Sequence, residues 1–91
     1  MESVTLQEAC HHICDRIFEI SDRFPKAVVL LVDFSEIFEN SLASPTITEA
    51  FVNRGSSCSG EYFEVTIRAG SDEYFFDLGD SGCSIKKSVR D

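Results

Sequence analysis

Several features that would indicate a function are scarce or missing from this chain of 91 residues. It has no tryptophan, and its longest apolar run, Ala27 to Val32, is far shorter than the roughly 18 residues that cross a bilayer. The start, Met1-Glu2-Ser3, has neither the basic region nor the apolar core of a secretory signal peptide. We therefore expect one domain, without membrane insertion, in an intracellular and reducing compartment.

Common catalytic and nucleotide-binding motifs are also missing. The sequence contains no Gly-x-Ser-x-Gly, no His-Glu-x-x-His, no P-loop and no Gly-x-Gly-x-x-Gly. We interpret His11 and His12 as solvated helix residues rather than as acid–base groups. Cys14 and His11 could form a nucleophile–base pair, but no third group that would orient them is evident. We predict that the protein is not an enzyme and binds no cofactor.

Positive charge is scarce as well. Eight Lys and Arg residues are outnumbered by sixteen Asp and Glu, which gives a formal net charge of −8 at pH 7. Nucleic acids and anionic membranes are bound through Lys and Arg, so we expect no direct binding to either. Such a charge suits a basic protein partner, although acidic charge also keeps a small protein in solution.

The acidic residues are concentrated in two segments. Residues 33–49 contain four acids and no base, and residues 61–80 contain six acids and a single Arg. A concentrated field can steer a basic partner, and exposed aromatic residues often anchor interfaces. The predicted partner-binding residues are Glu36, Glu39, Glu61, Tyr62, Glu64, Asp72, Glu73, Phe75 and Asp77.

The first part of the chain predicts a helix and then a strand. Thr5 and Glu8 match the Ser/Thr-x-x-Glu capping box, and apolar residues then recur at helical spacing until Pro25 ends the helix. The run Ala27 to Val32 is rich in β-branched residues without polar alternation, which is typical of a central strand covered on both faces.

A second helix is predicted over about Pro45 to Asn53. Ser44 provides its N-cap, Pro45 occupies the first helical position, and Gly55 supplies its C-terminal stop.

A β-hairpin with Gly70 and Ser71 at its turn is predicted next. Its register pairs apolar residues on one face: Phe63 with Leu78, Val65 with Phe76, and Ile67 with Tyr74. The other face pairs Arg68 with Glu73, Thr66 with Phe75, and Glu64 with Asp77. Like charges placed directly opposite each other are mildly destabilising, so we expect this second face to be solvated and weakly optimised for stability.

These elements predict a small single α+β domain over residues 1–91 with the order αβαββ. The first strand, second helix and next strand would form a right-handed parallel crossover. The result would be a three-stranded mixed sheet that ends in the hairpin, with two helices packed on it. Residues 80–91 are predicted to be a frayed tail or at most a short edge strand. An apolar hairpin edge could also pair with a second copy, so a homodimer is a candidate assembly.

The four cysteines allow two further hypotheses. Extending the hairpin register places Cys58 opposite Cys83 as a candidate disulfide, which a reducing cell would keep as thiols. Cys10 and Cys14 lie one helical turn apart and could bind zinc together with the other two. Their spacing differs from that of common zinc modules, and Cys10 lies in the apolar stripe, so we predict no metal and keep a zinc- or thiol-dependent protein as a further alternative.

The segment Ala27 to Phe51 resembles the strand–loop–helix at the centre of STAS and STAS-like domains. Asp33-Phe34 at the strand end, and Ser41 or Ser44 before the helix, stand at corresponding places. The resemblance implies a regulatory interaction domain, and in the antagonist branch of that family the serine at the helix start is phosphorylated. This sequence has Pro45 where the family carries a small residue, so no phospho-switch is assigned.

In size and charge alone, the chain resembles small acidic phage-encoded inhibitors of the anti-CRISPR and anti-restriction type. Those inhibitors often cover basic surfaces that bind nucleic acid. We therefore predict a cytoplasmic, non-enzymatic module, in a host cell if it is phage-encoded, that occupies a basic surface of a partner such as a nucleic-acid-binding protein. The alternative is a STAS-like regulatory interaction domain.

Overall fold

The computed structural model describes residues 2–27, 29, 39, 48–80 and 82–89. The described elements are β1 (Glu2–Val4), α1 (Leu6–Ile20), β2 (Thr48–Ser57), β3 (Gly60–Ala69), β4 (Asp72–Asp77) and β5 (Ser84–Val89). The strands form one sheet in the order β1-β2-β3-β4-β5, and each neighbouring pair is antiparallel. Helix α1 packs on one face of this sheet, which we call the inner face; the opposite face is the outer face.

Helix α1 begins where its capping residues predict. Thr5 is extended, and its side-chain oxygen accepts a hydrogen bond from the Glu8 amide at 3.1 Å. The helix ends at Ile20, earlier than the predicted stop at Pro25. Its buried residues are Ala9, Ile13, Ile17 and Ile20. Their spacing of three and four residues makes one apolar stripe, which faces the sheet and confirms the prediction of an amphipathic helix.

The predicted hairpin is confirmed as β3 and β4, with the predicted register. Glu64 pairs with Asp77, and Arg68 pairs with Glu73. The same alignment continues beyond the strands, because the Leu78 amide donates to the Phe63 carbonyl at 2.8 Å. The six apolar residues of one face are all buried in the core with α1: Phe63, Val65, Ile67, Tyr74, Phe76 and Leu78.

The predicted second helix is wrong where the structure describes it, because Thr48–Ser57 is strand β2. Ala50 and Val52 are buried on the inner face, whereas Phe51 between them points to the outer face. This alternation gives β2 a period of two, and its backbone pairs with β3 on one side and with β1 on the other. Tertiary pairing therefore overrides the local helix-start pattern at Ser44 and Pro45, which lie outside the described residues.

The predicted central strand and mixed sheet are also wrong. Lys26, Ala27 and Val29 have helical backbone, and the rest of the run to Val32 lies outside the described residues. A short apolar run does not distinguish a strand from a helix by periodicity, which explains the error. The fold is thus not an αβαββ domain with a three-stranded mixed sheet and two helices. Among the described residues there are five antiparallel strands and one helix, α1, whose first and last residues are both defined.

These corrections bear on the STAS-like resemblance. At the ends of the segment that carries it, Ala27 is helical and Phe51 lies in strand β2, and most of the residues between them lie outside the described part of the chain. Asp33, Ser41 and Ser44 lie outside the described residues. No regulatory role is proposed for them.

The sheet has β1 and β5 at its two edges. Ser84–Val89 forms β5, so the edge-strand alternative for the tail is the one observed. The hairpin edge that we predicted to pair with a second copy is covered by β2 and β5. The loop before β5 lies close to β3: a Cβ on Gly79 would come within 3.0 Å of the Glu61 carbonyl oxygen.

Candidate protein-binding surface

The predicted partner-binding residues divide between the two faces of the sheet. Successive side chains of a strand point to opposite faces, so the register assigns each one. The outer face carries Tyr62, Glu64, Glu73, Phe75 and Asp77. The inner face carries Glu61 and Asp72, so these two residues do not belong to the same surface. Glu39 is exposed, and Glu36 lies outside the described residues.

An aromatic row crosses the centre of the outer face. Thr66 in β3 lies between Phe51 in β2 and Phe75 in β4, and Lys86 in β5 follows beside Phe75. Thr66 is only 9% exposed, whereas both phenylalanines are half-buried. Aromatic side chains of this kind combine a large apolar area with low conformational freedom, which suits them as interface anchors.

Arg68 neutralises part of the acidic charge on the outer face. Its Nε lies 2.8 Å from Glu73 Oε2, and its guanidinium lies 5.1 Å from the centre of the Phe51 ring. A longer contact of 3.8 Å reaches Glu49. Glu73 is therefore an internal ion-pair partner and less available to another protein than the sequence alone suggests.

Glu64 and Asp77 form an acidic pair for which the described residues supply no cation. They are half-buried and directly opposite each other on β3 and β4. Asn53 donates a hydrogen bond to Glu64 at 3.1 Å, and the Gly79 amide donates to Asp77 at 3.4 Å. Neither carboxylate forms an ion pair with any residue that the structure describes. Like charges in this arrangement repel by roughly 0.2–1 kcal/mol.

Tyr62 borders the outer face at the β2–β3 end of the sheet and is 37% exposed. It pairs with Gly55 across the strands, and a Cβ at position 55 would come within 2.7 Å of the tyrosine Cζ. The absence of a side chain at Gly55 therefore lets the ring lie across the neighbouring strand.

A cleft of about 360 Å³ opens on the inner side, between α1 and the end of the β2–β3 hairpin. His12, Asp15 and Arg16 line its helix wall, and Arg54, Glu61 and Phe63 line its strand wall. The His12 and Phe63 rings lie 6.3 Å apart. The cleft is thus a mixed site with both charges and an apolar part.

Arg16 and Asp80 hold α1 against the loop that follows β4. Arg16 is 11% exposed, donates from Nε to the Leu78 carbonyl at 2.8 Å and contacts Asp80 at 3.3 Å. Arg23 reaches the same Asp80 carboxylate at 2.9 Å. The hydrogen bond from the Glu61 amide, followed by the interaction with Arg23 and the charge of Arg16, lowers the pKa of Asp80 below its usual range. Asp80 therefore stabilises the contact between α1 and the loop after β4.

The cysteines are all free thiols. Cys58 is exposed and lies in the turn between β2 and β3. Because β3 begins only at Gly60, the pairing of β3 with β4 does not extend to Cys58 and does not align it with Cys83. Burial raises the pKa of Cys10 to about 11, and it also raises those of Cys14 and Cys83. Among the described residues, no group of three or more His, Cys, Asp or Glu is placed to hold a metal.

These thiols should differ in reactivity. At pH 8 a thiol with a pKa of about 11 is only ~0.1% thiolate, and the thiolate is the reactive form. We expect iodoacetamide to modify exposed Cys58 first and Cys10 slowest, as measured by peptide mass spectrometry over time. Labelling in denaturant serves as the control, because unfolding removes the difference in burial. Equal rates at Cys10 and Cys58 in the native protein would contradict this placement.

The sequence patterns did not predict the cleft or the roles of two arginines that line it, Arg16 and Arg54. Arg16 had one usable signal, because it lies three residues after Ile13 and four before Ile20, at the border of the apolar stripe. No sequence signal pointed to Arg54, since the segment around it was predicted to be the end of the second helix.

Within the described part of the chain, no helix has the length and apolar character needed to cross a membrane. The chain matches no protein-family model, no curated protein and no solved structure.

Proposed function

We propose that the protein is a non-enzymatic binding module whose outer face docks on a basic surface of a partner protein. The observation that carries this proposal is the half-buried pair Glu64 and Asp77, which forms no ion pair with any described residue. A Lys or Arg from a partner would relieve their repulsion and gain charge-assisted hydrogen bonds. The neighbouring Phe75 offers an apolar anchor beside that contact.

The charge of the whole chain supports the same proposal. A net charge of −8 on a chain of this size favours rapid encounter with a basic surface. If the partner uses that surface to bind nucleic acid, occupation by this protein inhibits it, because the two ligands compete for the same cations.

The test begins with affinity capture from a lysate at low salt and identification of the captured protein by mass spectrometry. The purified partner is then titrated by calorimetry with the wild type and with Glu64→Lys and Asp77→Lys. We expect each reversal to weaken binding by about tenfold or more, because it places a cation opposite the partner's cation.

We also expect Glu64→Gln to raise the free energy of unfolding by a few tenths of a kcal/mol, about the size of cross-strand repulsion. The same variant should weaken binding to the partner.

Asp22→Lys is the matched control, because it makes the same change in net charge at an exposed position on the helix side. It should affect affinity far less than the two sheet variants do. If all three reversals weaken binding equally, the effect is one of net charge and the outer face is not the docking surface. If none of them matters and salt has no effect, the proposal fails.

A further inference from the structure

One cation of the cleft between α1 and the β2–β3 hairpin already takes part in contacts within the domain. Arg16 donates from Nε to the Leu78 carbonyl at 2.8 Å. Its two terminal nitrogens contact Glu19 at 3.1 Å and Asp80 at 3.3 Å. Because these contacts use the charge and the donors of Arg16, a ligand in the cleft would have to bind through other groups.

Three charged residues of the cleft lack such partners. Asp15 lies on the helix wall, and Arg54 and Glu61 lie on the strand wall. All three are exposed, and none of them forms an ion pair with any residue in the described part of the chain. Two carboxylates and one guanidinium therefore face the same space without a described neighbour that neutralises them.

Arg54 and Glu61 face the cleft from neighbouring strands without contacting each other. Arg54 lies opposite Phe63, and Ser56 lies opposite Glu61, so the two charged residues are diagonal neighbours on the inner face. Diagonal positions of an antiparallel pair are ~7–8 Å apart, a distance that long side chains can span. The two side chains nevertheless form no ion pair. The space between them can therefore admit a small group that contacts both.

These three charges indicate the chemistry of the ligand. A simple anion would gain the contact with Arg54, but the two carboxylates would repel it. A simple amine would pair with Asp15 and Glu61 and leave Arg54 without a partner. A zwitterion satisfies all three, because its ammonium can lie between the carboxylates while its carboxylate accepts two hydrogen bonds from the guanidinium. An α-amino acid carries both groups on one carbon, which suits the short separation of Arg54 and Glu61.

The cleft also has an aromatic wall. The His12 and Phe63 rings both line it, and they lie 6.3 Å apart at an angle of 53°. Such rings pack favourably against a further ring in an offset or edge-on arrangement. The cleft volume of about 360 Å³ is at the lower end of the range for small-molecule sites, roughly 300–1,000 Å³. It leaves room for a side chain beside the ammonium and carboxylate of a ligand.

We propose that the cleft binds a free α-amino acid with an aromatic side chain. The ammonium of the ligand lies between Asp15 and Glu61, and its carboxylate pairs with Arg54. Its ring lies against those of His12 and Phe63. This site is separate from the acidic pair on the outer face and does not depend on the function proposed above.

The test compares four ligands by titration into the ¹⁵N-labelled full chain, followed by NMR at neutral pH. Phenylalanine carries both charged groups, hydrocinnamate lacks the ammonium, phenethylamine lacks the carboxylate, and glycine lacks the ring. We expect phenylalanine to shift the amide signals of the cleft residues saturably, with a Kd in the millimolar range for a ligand of this size. Each of the other three should bind about fivefold more weakly or worse, the effect of losing one exposed charge contact or one ring contact.

Two variants assign each charge of the ligand to its residue. Arg54→Gln should weaken the binding of phenylalanine and hydrocinnamate but not that of phenethylamine. Glu61→Gln should weaken the binding of phenylalanine and phenethylamine but not that of hydrocinnamate. A damaged fold would weaken the binding of all three ligands, so this pattern separates a binding role from a structural one. Lys26→Gln and Asp22→Asn make the same changes in net charge at exposed positions and should leave every affinity unchanged.

Four results would overturn the proposal. If phenylalanine causes no saturable shift up to about 20 mM, well above the Kd expected for a ligand of its size, the cleft binds no amino acid. Equal affinity for phenylalanine and either one-charge analogue would show that a zwitterion is not required. Equal weakening of all ligands by Arg54→Gln or Glu61→Gln would show that these residues do not contact the assigned groups. Glycine binding as tightly as phenylalanine would show that the rings of the cleft contribute nothing.

Discussion

Replacing Phe76 by alanine is expected to lower the free energy of unfolding by about 3–5 kcal/mol. Phe76 is fully buried, and among the described residues it is the largest side chain that is fully buried. It lies on the inner face of β4, where it belongs to the core formed by α1 and the central strands. Because domains of this size are stable by only about 5–15 kcal/mol, the variant should be close to the limit of folding. Denaturant unfolding followed by circular dichroism measures the change.

Phe75→Ala is the matched control for this experiment. It removes the same side chain one residue earlier, but from the outer face, where the ring is only half-buried. We expect a clearly smaller loss, about 1–2 kcal/mol, because less apolar area is transferred to water. Similar losses at Phe75 and Phe76 would contradict the observed register, since one residue of slip exchanges the two faces.

Replacing Arg16 by methionine should produce the second large effect, a loss of about 2–3 kcal/mol, typical of a charge-assisted hydrogen bond whose acceptor is left without a donor. Arg16 is largely buried and bonds to the Leu78 carbonyl, which belongs to the loop after β4. Methionine keeps most of the side-chain volume, so lost packing should contribute little. The measurement is again the free energy of unfolding.

Arg23→Met provides the control, because Arg23 contacts the same Asp80 carboxylate but is half-exposed. Exposed ion pairs contribute about 0–1 kcal/mol, so this variant should lose much less stability.

The pH dependence of stability gives an independent check on the contacts of Asp80. The pKa of Asp80 is lowered by folding, so its stabilising effect is complete at neutral pH and is lost as the pH falls through that lowered pKa. The difference in stability between wild type and Asp80→Asn should therefore shrink on acidification below about pH 4.

Local features of the sequence were enough to predict some elements. Gly70 and Ser71, flanked by alternating apolar residues, predicted the register of β3 and β4, which in turn placed Glu64 opposite Asp77. The capping residues Thr5 and Glu8 located the start of α1. In each case the pattern and the structure agree because the interacting residues are close in the chain or related by a single tight turn.

The same kind of local pattern failed for β2. Ser44 and Pro45 favour the start of a helix, yet Thr48–Ser57 is a strand that pairs with β1, which is distant in the sequence, and with β3, which follows directly. The pairing with β1 joins residues almost fifty positions apart, and no local propensity encodes it. The register extended to Cys58 failed for a related reason, since the chain turns into a second hairpin at that point.

The sequence by itself determined the amphipathic helix, the central hairpin with its two faces, and the excess of acidic charge. Only the tertiary structure decided which acids have a cationic partner among the described residues, because Arg68 pairs with Glu73 and not with Glu64, and because Arg16 reaches Asp80 across the domain. It alone also placed Arg54 and Ser56 of β2 in the cleft beside α1. Those contacts depend on how distant segments pack, whereas the hairpin depends on neighbours.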